Sequence, residues 1–409
     1  MTRMNVLITS SYYWPEDAGS APYLTGLAEH LSARGHEVVV TTGFPHYPDW
    51  KSSADGRLGA EETHNGVKIR RRWHYVPHSQ SAAQRAAYEL SLLTFGLTAF
   101  PRHWRADVIV GTCPSVAGGA LAAAATKRYR APYGLVFQDL VGRAAAQSGV
   151  AGGARVAGLV RRMELGLAKR AAGVAIIAEG FRGYLEEGGV SPENIYRLRN
   201  WTRRVEPIET APETRRRFGW ADDDFVCVHG GNMGHKQGLD NLLDTAGLLE
   251  DGRVRIALVG DGNDRARLEG LASERRLTNV DFIAMQSPGN WEATMEAADV
   301  LLVNQRASVT DMSLPSKLTS YFAAGRPVIA AASADSETAA EIEAAGAGLI
   351  VPPGDPAAFR DAIATLEQDR SLAETLGRSG RAYAESRLSR ASALAEYDDF
   401  VERIAAAPR

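Results

Sequence analysis

Short apolar runs alternate with amphipathic segments through the first half of the chain. The run after Asn5 has the pattern of a buried strand, and the segment that ends at Gly35 carries apolar residues at helical spacing. Because each further apolar run is followed by another helical segment, the pattern predicts a parallel sheet covered by helices on both faces. The runs behind this prediction are "NVLITSSYY", "HEVVVTTG", "ADVIVGT", "APYGLVFQD" and "AGVAIIAEG".

The same pattern restarts after a segment rich in proline and charge, "VEPIETAPETRRRFGWADDD". We therefore predict two doubly wound α/β domains in tandem, the first over residues 1–203 and the second over residues 204–388. The last segment, residues 389–409, predicts a terminal helix whose apolar positions need a partner. The later strand-like runs are "FVCVHGG", "RIALVGDG", "VDFIAM", "ADVLLVNQ", "RPVIAAAS" and "AGLIVPPGD".

Length and composition are typical of a globular protein with more than one core. The chain has 409 residues, 45% of them apolar, and a formal net charge of −3. Two cysteines, Cys113 and Cys227, are too few for a disulfide framework or a zinc site. The sequence does not open with a signal-peptide pattern, and the apolar helical pattern at 88–100 is shorter than the roughly 18 residues that span a bilayer. We expect a cytoplasmic protein.

Charge differs between the two halves of the chain. Residues 1–200 carry a net charge of +7 and the remainder −10. In the first half, arginines mix with tryptophan and histidine at 70–78 and at 101–107. Such patches attract phosphates, including lipid headgroups, but the same residues could form an ordinary solvated face. A peripheral contact with the inner face of the membrane therefore stays open as an alternative.

Two loops between a strand and a helix have the composition of an anion site. In the first half, Gly19 and Ser20 precede a helix, and in the second half the glycine-rich stretch "HGGNMGHKQG" precedes another. Glycines let backbone N–H groups approach an anion, and a helix amino terminus adds about half a positive charge. A glycine turn of this kind is also often purely structural. The stretch matches neither the G-x-G-x-x-G dinucleotide fingerprint nor the phosphate-binding P-loop.

A third loop strengthens the case for an anion site in the second domain. After the strand-like run "ADVLLV", the segment "SVTDMSLPSK" brings polar residues and Lys317 to the start of another helix. Lys236 lies within the glycine-rich stretch, just before its helix, so two corners with one lysine each follow two strands of the same predicted sheet. Because the carboxyl ends of parallel strands lie at one edge, we expect both lysines to face one cleft, which suits a diphosphate.

Together these segments resemble the retaining nucleotide-sugar glycosyltransferases of glycosyltransferase family 4, in the branch that includes WbuB and WcaI. The resemblance covers nearly the whole chain and implies the GT-B fold, two facing Rossmann-like domains with the helix at 389–409 packed back on the first. It implies transfer from a nucleotide-diphosphate sugar, with UDP-sugars of the N-acetylhexosamine type favoured, to a lipid-linked saccharide or a small-molecule acceptor. It implies neither a metal nor another cofactor. The segments are "YYWPEDAGSAPYLTGLAEHLSARGHEVVVTTGFPHYPDW", "VFQDL", "RLRNW", "GGNMGHKQGLDNLL", "VGDGNDRARLE" and "LPSKLTSYFAAGRPVIA".

By the pattern of this family, Lys236 and Lys317 hold the pyrophosphate of the donor and supply charge to the leaving group. Asn232 stands where many relatives carry an arginine. The family's E-x7-E element is altered, because Ser320 occupies the position of the glutamate that grips the ribose, which leaves Ser320 or Asp311 for that task. The other donor-binding residues implied by the resemblance are Gly19 and Ser20 in the first domain, and Gly231, Gln286, Leu314, Pro315 and Ser316 in the second.

On the acceptor side, the resemblance points to His46, Gln138 and Asp139. Asp139 stands where many relatives have a histidine at the reacting centre, so it would orient the sugar or the acceptor; alternatively it caps a helix. His46 would line the acceptor cleft, although a loop of this composition is as often a packed turn. The family's reaction needs no paired carboxylates, because a donor phosphate oxygen takes the acceptor's proton while the protein supplies charge and positioning.

Two other functions remain open from the sequence. A nucleotide-sugar epimerase on the same fold would interconvert hexosamines without an acceptor, and a noncatalytic subunit would bind nucleotide without turnover. A nicotinamide-dependent oxidoreductase is disfavoured because its glycine fingerprint is absent. Nucleic acid is not an expected partner, and the sequence predicts no oligomeric state.

Overall fold

The structure is a computed structural model that describes residues 3–78, 81–113, 115–140, 153–249, 252–306 and 316–407, with the backbone alone at 153–156, 236 and 316. The chain divides into two compact units. The first comprises Met1–Asn200 together with Ala391–Arg409, and the second comprises Trp201–Arg390. We expected this division after residue 203.

The described strands of the first unit form one sheet with a single antiparallel pair at its edge. In chain order they are β1 (Asn5–Thr9), β2 (Glu37–Gly43), β3 (Gly59–His64), β4 (Val67–Arg72), β5 (Val108–Cys113), β6 (Tyr133–Phe137), β7 (Gly173–Ile176) and β8 (Ile195–Arg197). In space the order is β3-β4-β2-β1-β5-β6-β7-β8, and only β3 runs against its neighbour. The central strands β1, β2, β5 and β6 are almost wholly buried, as helices on both faces require.

The helices of the first unit follow the strands as the apolar pattern predicts. They are α1 (Ala21–Ala33), α2 (Ala82–Gly96), α3 (Val116–Tyr129), α4 (Gly153–Ala168) and α5 (Arg182–Glu187). Gly35 follows α1 in the left-handed conformation, with φ of +89°, which explains why the helix stops there. At the start of α3 the Ser115 hydroxyl accepts the Gly118 N–H, a cap that orients the helix directly after β5.

The edge strands β3 and β4 change the interpretation of the arginines at 70–72, which in the sequence form part of a basic patch. Arg71 lies in β4 with its side chain only 4% exposed and pairs with Glu62 of β3 across 2.5 Å. Arg70 likewise pairs with Glu61, at 2.7 Å. Opposite charges on adjacent strands stabilise the pair, so these arginines serve the antiparallel edge and are not a free phosphate-attracting surface.

The second unit is built on a fully parallel sheet. Its strands are β9 (Phe225–Asn232), β10 (Val254–Asp261), β11 (Val280–Ile283), β12 (Val300–Asn304), β13 (Val328–Ala331) and β14 (Gly348–Val351). They lie in the order β11-β10-β9-β12-β13-β14. Counted within this unit, that is the 3-2-1-4-5-6 order of a dinucleotide-binding sheet, with its switch point between β9 and β12.

Helices cover both faces of this sheet and enclose two apolar cores. They are α6 (Ala211–Phe218), α7 (Asp240–Ala246), α8 (Arg265–Glu274), α9 (Asn290–Ala297), α10 (Ser316–Ala324), α11 (Glu337–Ala345), α12 (Pro356–Gln368) and α13 (Arg370–Arg387). Because side chains of a strand alternate between faces, Phe225 and Cys227 pack under α7, α8 and α12. Val226 and Val228 pack on the opposite side under α9, α10 and α11.

The last helix, α14 (Arg390–Ala405), packs on the first unit. Its Phe400 and Ile404 lie against Gly134 of β6, where an added Cβ would come within 2.1 Å of Ile404. His30 of α1 and Asp398 of α14 approach to 2.9 Å. The terminal helix therefore finds its apolar partner in the first sheet, and the predicted α/β class with a returning helix is confirmed. Among the described helices, none is both long and apolar enough to cross a membrane.

Candidate functional site

In the second unit the sheet opens at the carboxyl end of its central strand. β9 pairs with β10 as far as Asn232, opposite Asp261. Its pairing with β12 ends four residues earlier in β9, at Val228 opposite Leu301. Ligands of open α/β sheets bind at such a switch point, and the two lysine-bearing corners predicted from the sequence follow these two strands.

The glycine turn at the end of β9 is required by close packing. An added Cβ on Gly230 would lie 1.8 Å from the Trp291 ring, and one on Gly260 would lie 1.9 Å from the Gly231 carbonyl oxygen. Gly231 has φ of +109°, a conformation that side-chain-bearing residues rarely adopt. At Gly230 and Gly231 the turn therefore presents main chain alone at the opened end of the sheet.

Lys317 reaches this turn from the first turn of α10. Its Nζ lies 3.5 Å from Nε2 of His229 and 3.9 Å from the position of a Cβ built on Gly231. The side chain is partly buried, and desolvation lowers the pKa of its amine to about 8. A cation thus stands over the main chain of Gly231, near the amino end of a helix that also favours anions.

His229 is completely buried beneath this lysine. Its Nδ1 lies 3.1 Å from the Leu302 carbonyl oxygen, which can only accept, so Nδ1 carries the proton and Nε2 carries the lone pair. Burial and the charge of Lys317 both lower the pKa of His229, so the ring is neutral at physiological pH. Tyr321 completes the group, because its hydroxyl accepts the Gly230 N–H at 2.9 Å and donates to Leu302 O at 3.4 Å.

The second lysine corner is held by a buried amide pair. Lys236 lies in a short 3₁₀ turn, His235–Gln237, and its side chain is outside the described residues. Asn304, the last residue of β12, donates through Nδ2 to the carbonyl oxygens of Gln237 at 2.7 Å and Gly238 at 2.9 Å. Asn241 donates to Asn304 Oδ1 at 2.7 Å. The turn that carries Lys236 is therefore tied to the strand that leads towards Lys317.

The other predicted donor residues are dispersed. Asn232 is exposed beside Gly234 and Gly262. The Gln286 side chain accepts from Arg217 and donates to the Ala284 carbonyl. Ser320 lines a small cavity with Thr202, Arg204 and Glu296. Asp311, Leu314 and Pro315, together with the side chain of Ser316, lie outside the described residues.

In the first unit, a buried carboxylate joins the loops after β1 and β2. Glu16 accepts three backbone N–H groups, from Tyr13 at 3.1 Å and from His46 and Tyr47 at 2.8 Å each. Burial raises the pKa of this carboxyl, while the three hydrogen bonds oppose the change. Gly19, with φ of +60°, lies against Tyr47, since an added Cβ would be 3.4 Å from its ring.

The predicted residues of these loops are more enclosed than the sequence suggests. His46 is 3% exposed; its Nδ1 lies 3.0 Å from the Phe44 carbonyl and its Nε2 3.2 Å from the Tyr88 hydroxyl. Burial lowers the pKa of His46 to about 4. The ring stacks on Tyr12, with centroids 5.3 Å apart. Ser20 is also buried, and its hydroxyl has no hydrogen-bond partner among the described residues.

Gln138 and Asp139 follow β6. Both polar atoms of the Gln138 side chain engage Asn200, through bonds of 3.2 and 2.8 Å. Asp139 is exposed, and its Oδ1 accepts the N–H of Leu140. The structure thus places Asp139 where a small molecule could reach it, and engages Gln138 in a reciprocal amide pair.

Sequence reasoning did not single out Glu16, His229, Asn304 or Tyr321. His229 carries one visible signal, because it is the only polar residue of the strand segment "FVCVHGG". A second signal is the rarity of lysine in the second half of the chain, where Lys236 and Lys317 are the only lysines after residue 200. No group of three His, Cys, Asp or Glu side chains that could hold a metal ion occurs in the part of the chain that the structure describes.

Two family models match the chain, one in each unit. The model of the glycosyl transferase 4-like domain matches residues 18–201. The model of glycosyl transferases group 1 matches residues 210–383.

Relatives along the sequence agree with these models. WcaI of Escherichia coli (strain K12), a glycosyl transferase named for colanic acid biosynthesis, is 31% identical over 347 residues, which span 82% of this chain and 84% of WcaI. A GDP-mannose-dependent alpha-mannosyltransferase of Mycobacterium tuberculosis (strain CDC 1551 / Oshkosh) is 30% identical over 274 residues, 66% of each chain.

Solved structures share the fold along the whole chain. HepE of Anabaena, in complex with UDP, superposes with a TM-score of 0.70 at 17% identity, over 98% of this chain and 100% of HepE. WaaG, a glycosyltransferase involved in lipopolysaccharide biosynthesis, superposes with a TM-score of 0.66 at 16% identity, over 97% and 99% of the two chains. At these identities the likeness concerns the fold alone, which is the GT-B architecture expected from the sequence. Given the family models and the identity with WcaI across most of both proteins, the chain belongs to the group 1, family 4-like glycosyltransferases.

Proposed function

We propose that this protein is a retaining glycosyltransferase that takes its sugar from a nucleoside-diphosphate donor bound by the second unit. The observation that carries the proposal is the position of Lys317, whose ammonium group lies over the glycine turn where β9 and β12 part. Negative charge on the leaving diphosphate grows as the bond to the sugar breaks. A cation already in place there stabilises the transition state more than the ground state.

The distribution of lysine and arginine in the second half of the chain supports a dedicated phosphate site. The chain after residue 200 contains 21 arginines and only two lysines, Lys236 and Lys317. An ammonium group is a compact point charge on a flexible stem and can follow a phosphate as it departs. We infer that both lysines contact the diphosphate, Lys317 from α10 and Lys236 from the turn that Asn304 holds.

For the rest of the donor we propose the contacts implied by the family. Gly231 and Asn232 approach the phosphates, and backbone groups near Gln286 hold the base, since the side chain of Gln286 is engaged by Arg217. Ser320 or Asp311 takes the ribose. The backbone N–H groups of Leu314 and Ser316 would add donors at the start of α10, whereas Pro315 has no N–H and would contribute only its position in the loop.

The proposed reaction retains the configuration of the sugar without a protein nucleophile. The bond between the anomeric carbon and the diphosphate oxygen breaks, and the acceptor oxygen attacks the same face. The proton of the acceptor hydroxyl passes to a phosphate oxygen of the departing diphosphate. For the first unit we propose the roles that the family implies: Gly19 and Ser20 bind the donor, Asp139 orients the sugar or the acceptor, and His46 and Gln138 bind the acceptor.

For the donor we favour a UDP-sugar of the N-acetylhexosamine type, as the sequence suggests. HepE was solved with UDP and with UDP-glucose, which supports uridine, whereas the mycobacterial relative is named for GDP-mannose. For the acceptor we propose a lipid-linked saccharide, with a small soluble molecule as the alternative. The protein would then work at the inner face of the membrane.

The experiment that tests the function is donor consumption, followed by mass spectrometry, across UDP-, GDP-, ADP- and dTDP-sugars with and without candidate acceptors. We expect one nucleotide class to be consumed, with the sugar appearing on an acceptor or, slowly, on water. Conversion of one nucleotide sugar into its epimer without an acceptor would support an epimerase. Nucleotide binding with no turnover of any donor would support the noncatalytic alternative.

Lys317→Ala and Lys236→Ala should each lower donor turnover at least about tenfold, because a charge-assisted contact to phosphate contributes roughly 1.5 to 3 kcal/mol. Steady-state kinetics with the preferred donor measure the loss. Arg378→Ala, an exposed change in the same unit, serves as the control and should behave as wild type. Activity within twofold of wild type in both lysine variants would overturn the proposed diphosphate site.

Turnover should persist after exhaustive treatment with EDTA, because the two lysines and the helix termini supply the charge that a metal supplies in other glycosyltransferases. The check compares rates in EDTA with rates after added manganese or magnesium. Complete loss in EDTA that manganese restores would show that the leaving diphosphate is neutralised by a metal.

The protein should float with liposomes that contain anionic lipid at low salt and lose this association at high salt. Leu90 of α2 is 66% exposed, and Leu97, the first residue of the short 3₁₀ helix Leu97–Ala99 that follows α2, is 43% exposed. The exposed Arg102 and Arg105 lie close by in sequence. Each basic residue near an anionic surface contributes about 1 kcal/mol, which salt screens. By contrast, Leu92 and Phe100 are buried in the core. A protein that stays at the bottom of the gradient under all conditions would favour the soluble acceptor.

A further inference from the structure

We propose that His229 is a positioning residue for Lys317: its buried, neutral imidazole accepts a hydrogen bond from the ammonium group and holds it over the Gly231 main chain. This inference rests on the proposed function, because it assumes that Lys317 meets the donor's diphosphate. His229 itself would not touch the substrate.

The first support is the defined orientation of the ring. His229 has no exposed surface, and its Nδ1 donates to the Leu302 carbonyl at 3.1 Å. This bond leaves only the Nε2 lone pair for another partner, and it points towards Lys317 Nζ at 3.5 Å. A lone pair is the one group that a buried neutral histidine can offer to a cation.

The second support is the origin of the carbonyl that orients the ring. Leu302 is the first residue of β12 beyond its last pairing with β9, so on that side its carbonyl oxygen lies next to the opening of the sheet. His229 and Tyr321 both donate to this oxygen. Tyr321 also accepts the Gly230 N–H. The Leu302 oxygen thereby orients two side chains: the His229 ring, which lies beneath Lys317, and Tyr321, which holds the glycine turn.

The third support is the free-energy cost of holding the Lys317 ammonium group in a partly buried position. A partly buried ammonium group loses hydration, and a cation left without an acceptor there would bend away or lose its proton. A neutral imidazole offers partial compensation without neutralising the charge. A carboxylate at position 229 would instead pair with the lysine and compete with the diphosphate. The neutral ring therefore holds the amine in place and leaves its charge for the substrate.

The experiment is a double-mutant cycle on the full-length protein. His229→Phe, Lys317→Ala and the double variant are compared by kcat/KM for the preferred donor. Since the hydrogen bond is long, His229→Phe should lower kcat/KM about three- to tenfold in the wild-type background. In the Lys317→Ala background it should have no further effect, because the group that it positions is gone.

A matched control separates positioning of the lysine from packing of the turn. Tyr321→Phe removes a hydroxyl that hydrogen-bonds to the Leu302 oxygen and the Gly230 N–H; the hydrogen bonds described for this hydroxyl do not involve Lys317. Its effect should be equal in both backgrounds. His229→Gln, which offers a carbonyl oxygen as acceptor, should recover part of the activity lost in His229→Phe.

The direction of a shift in the pH profile distinguishes positioning from loss of packing, because looser packing would hydrate the Lys317 amine and raise its pKa. Burial lowers the pKa of the Lys317 amine to about 8, so kcat/KM for the donor should fall as pH rises through that value. Without its acceptor the ammonium form is less favoured, and in His229→Phe the fall should begin at lower pH. His229 and Tyr321 do not titrate in this range, because the pKa of the first is lowered and that of the second raised by burial.

The outcomes distinguish this inference from the proposed function. If Lys317→Ala keeps full activity, the diphosphate site is wrong and the inference falls with it. If Lys317→Ala lowers kcat/KM but His229→Phe costs the same factor in both backgrounds, with an unshifted pH profile, His229 is only a packed core residue. Non-additive losses with the shifted profile support the positioning role.

Discussion

The parting of β9 from β12 is the constraint on which the second unit's site depends. Beyond Val228 and Leu301 the two central strands stop pairing, which leaves main-chain donors and acceptors next to a gap in the middle of the sheet. Buried groups of this kind require partners. Side chains provide them: Tyr321 takes the Gly230 N–H, and His229 and Tyr321 share the Leu302 oxygen. These side chains thereby satisfy the main chain at the gap, and the Lys317 ammonium group lies beside it.

Buried main-chain groups of the first unit also need hydrogen-bond partners, and there a carboxylate provides them. There the loops after β1 and β2 are joined by the Glu16 carboxylate, which accepts three backbone N–H groups. Around it lie aromatic rings and a neutral, buried His46. The buried Glu16 carboxylate thus holds the loops together. In the second unit, by contrast, the Lys317 ammonium group lies over the glycine turn where β9 and β12 part.

Much of the fold could be predicted from the sequence because periodicity is local. The apolar run at Asn5, the glycine stop at Gly35 and the glycine turn at Gly230 each follow from neighbouring residues. The β3–β4 pair could not be predicted this way, since its strands are largely polar and are held by pairs such as Arg71 with Glu62. From the sequence alone, the arginines at 70–72 could therefore belong either to a phosphate-attracting patch or to an ordinary solvated face.

The candidate site was predictable only in part, because sequence patterns report on neighbouring residues and not on distant partners. Lysines beside strand ends are visible in the sequence, but the partner of a side chain depends on residues that are distant along the chain. His229 and Lys317 are 88 residues apart, and Gln138 finds Asn200 across 62. Sequence reasoning therefore singled out Lys317 without His229, and proposed Gln138 for the acceptor site without its amide partner Asn200.

Lysine acylation footprinting tests the central claim, that the second unit holds a diphosphate between its two lysines, most directly. The protein is labelled with acetic anhydride with and without saturating nucleoside diphosphate, and each site is quantified by mass spectrometry. The account predicts that nucleotide slows labelling of Lys236 and Lys317 alone. Unchanged labelling of both, under conditions where the nucleotide inhibits turnover, would contradict it. The internal controls are the four remaining lysines, Lys51, Lys68, Lys127 and Lys169.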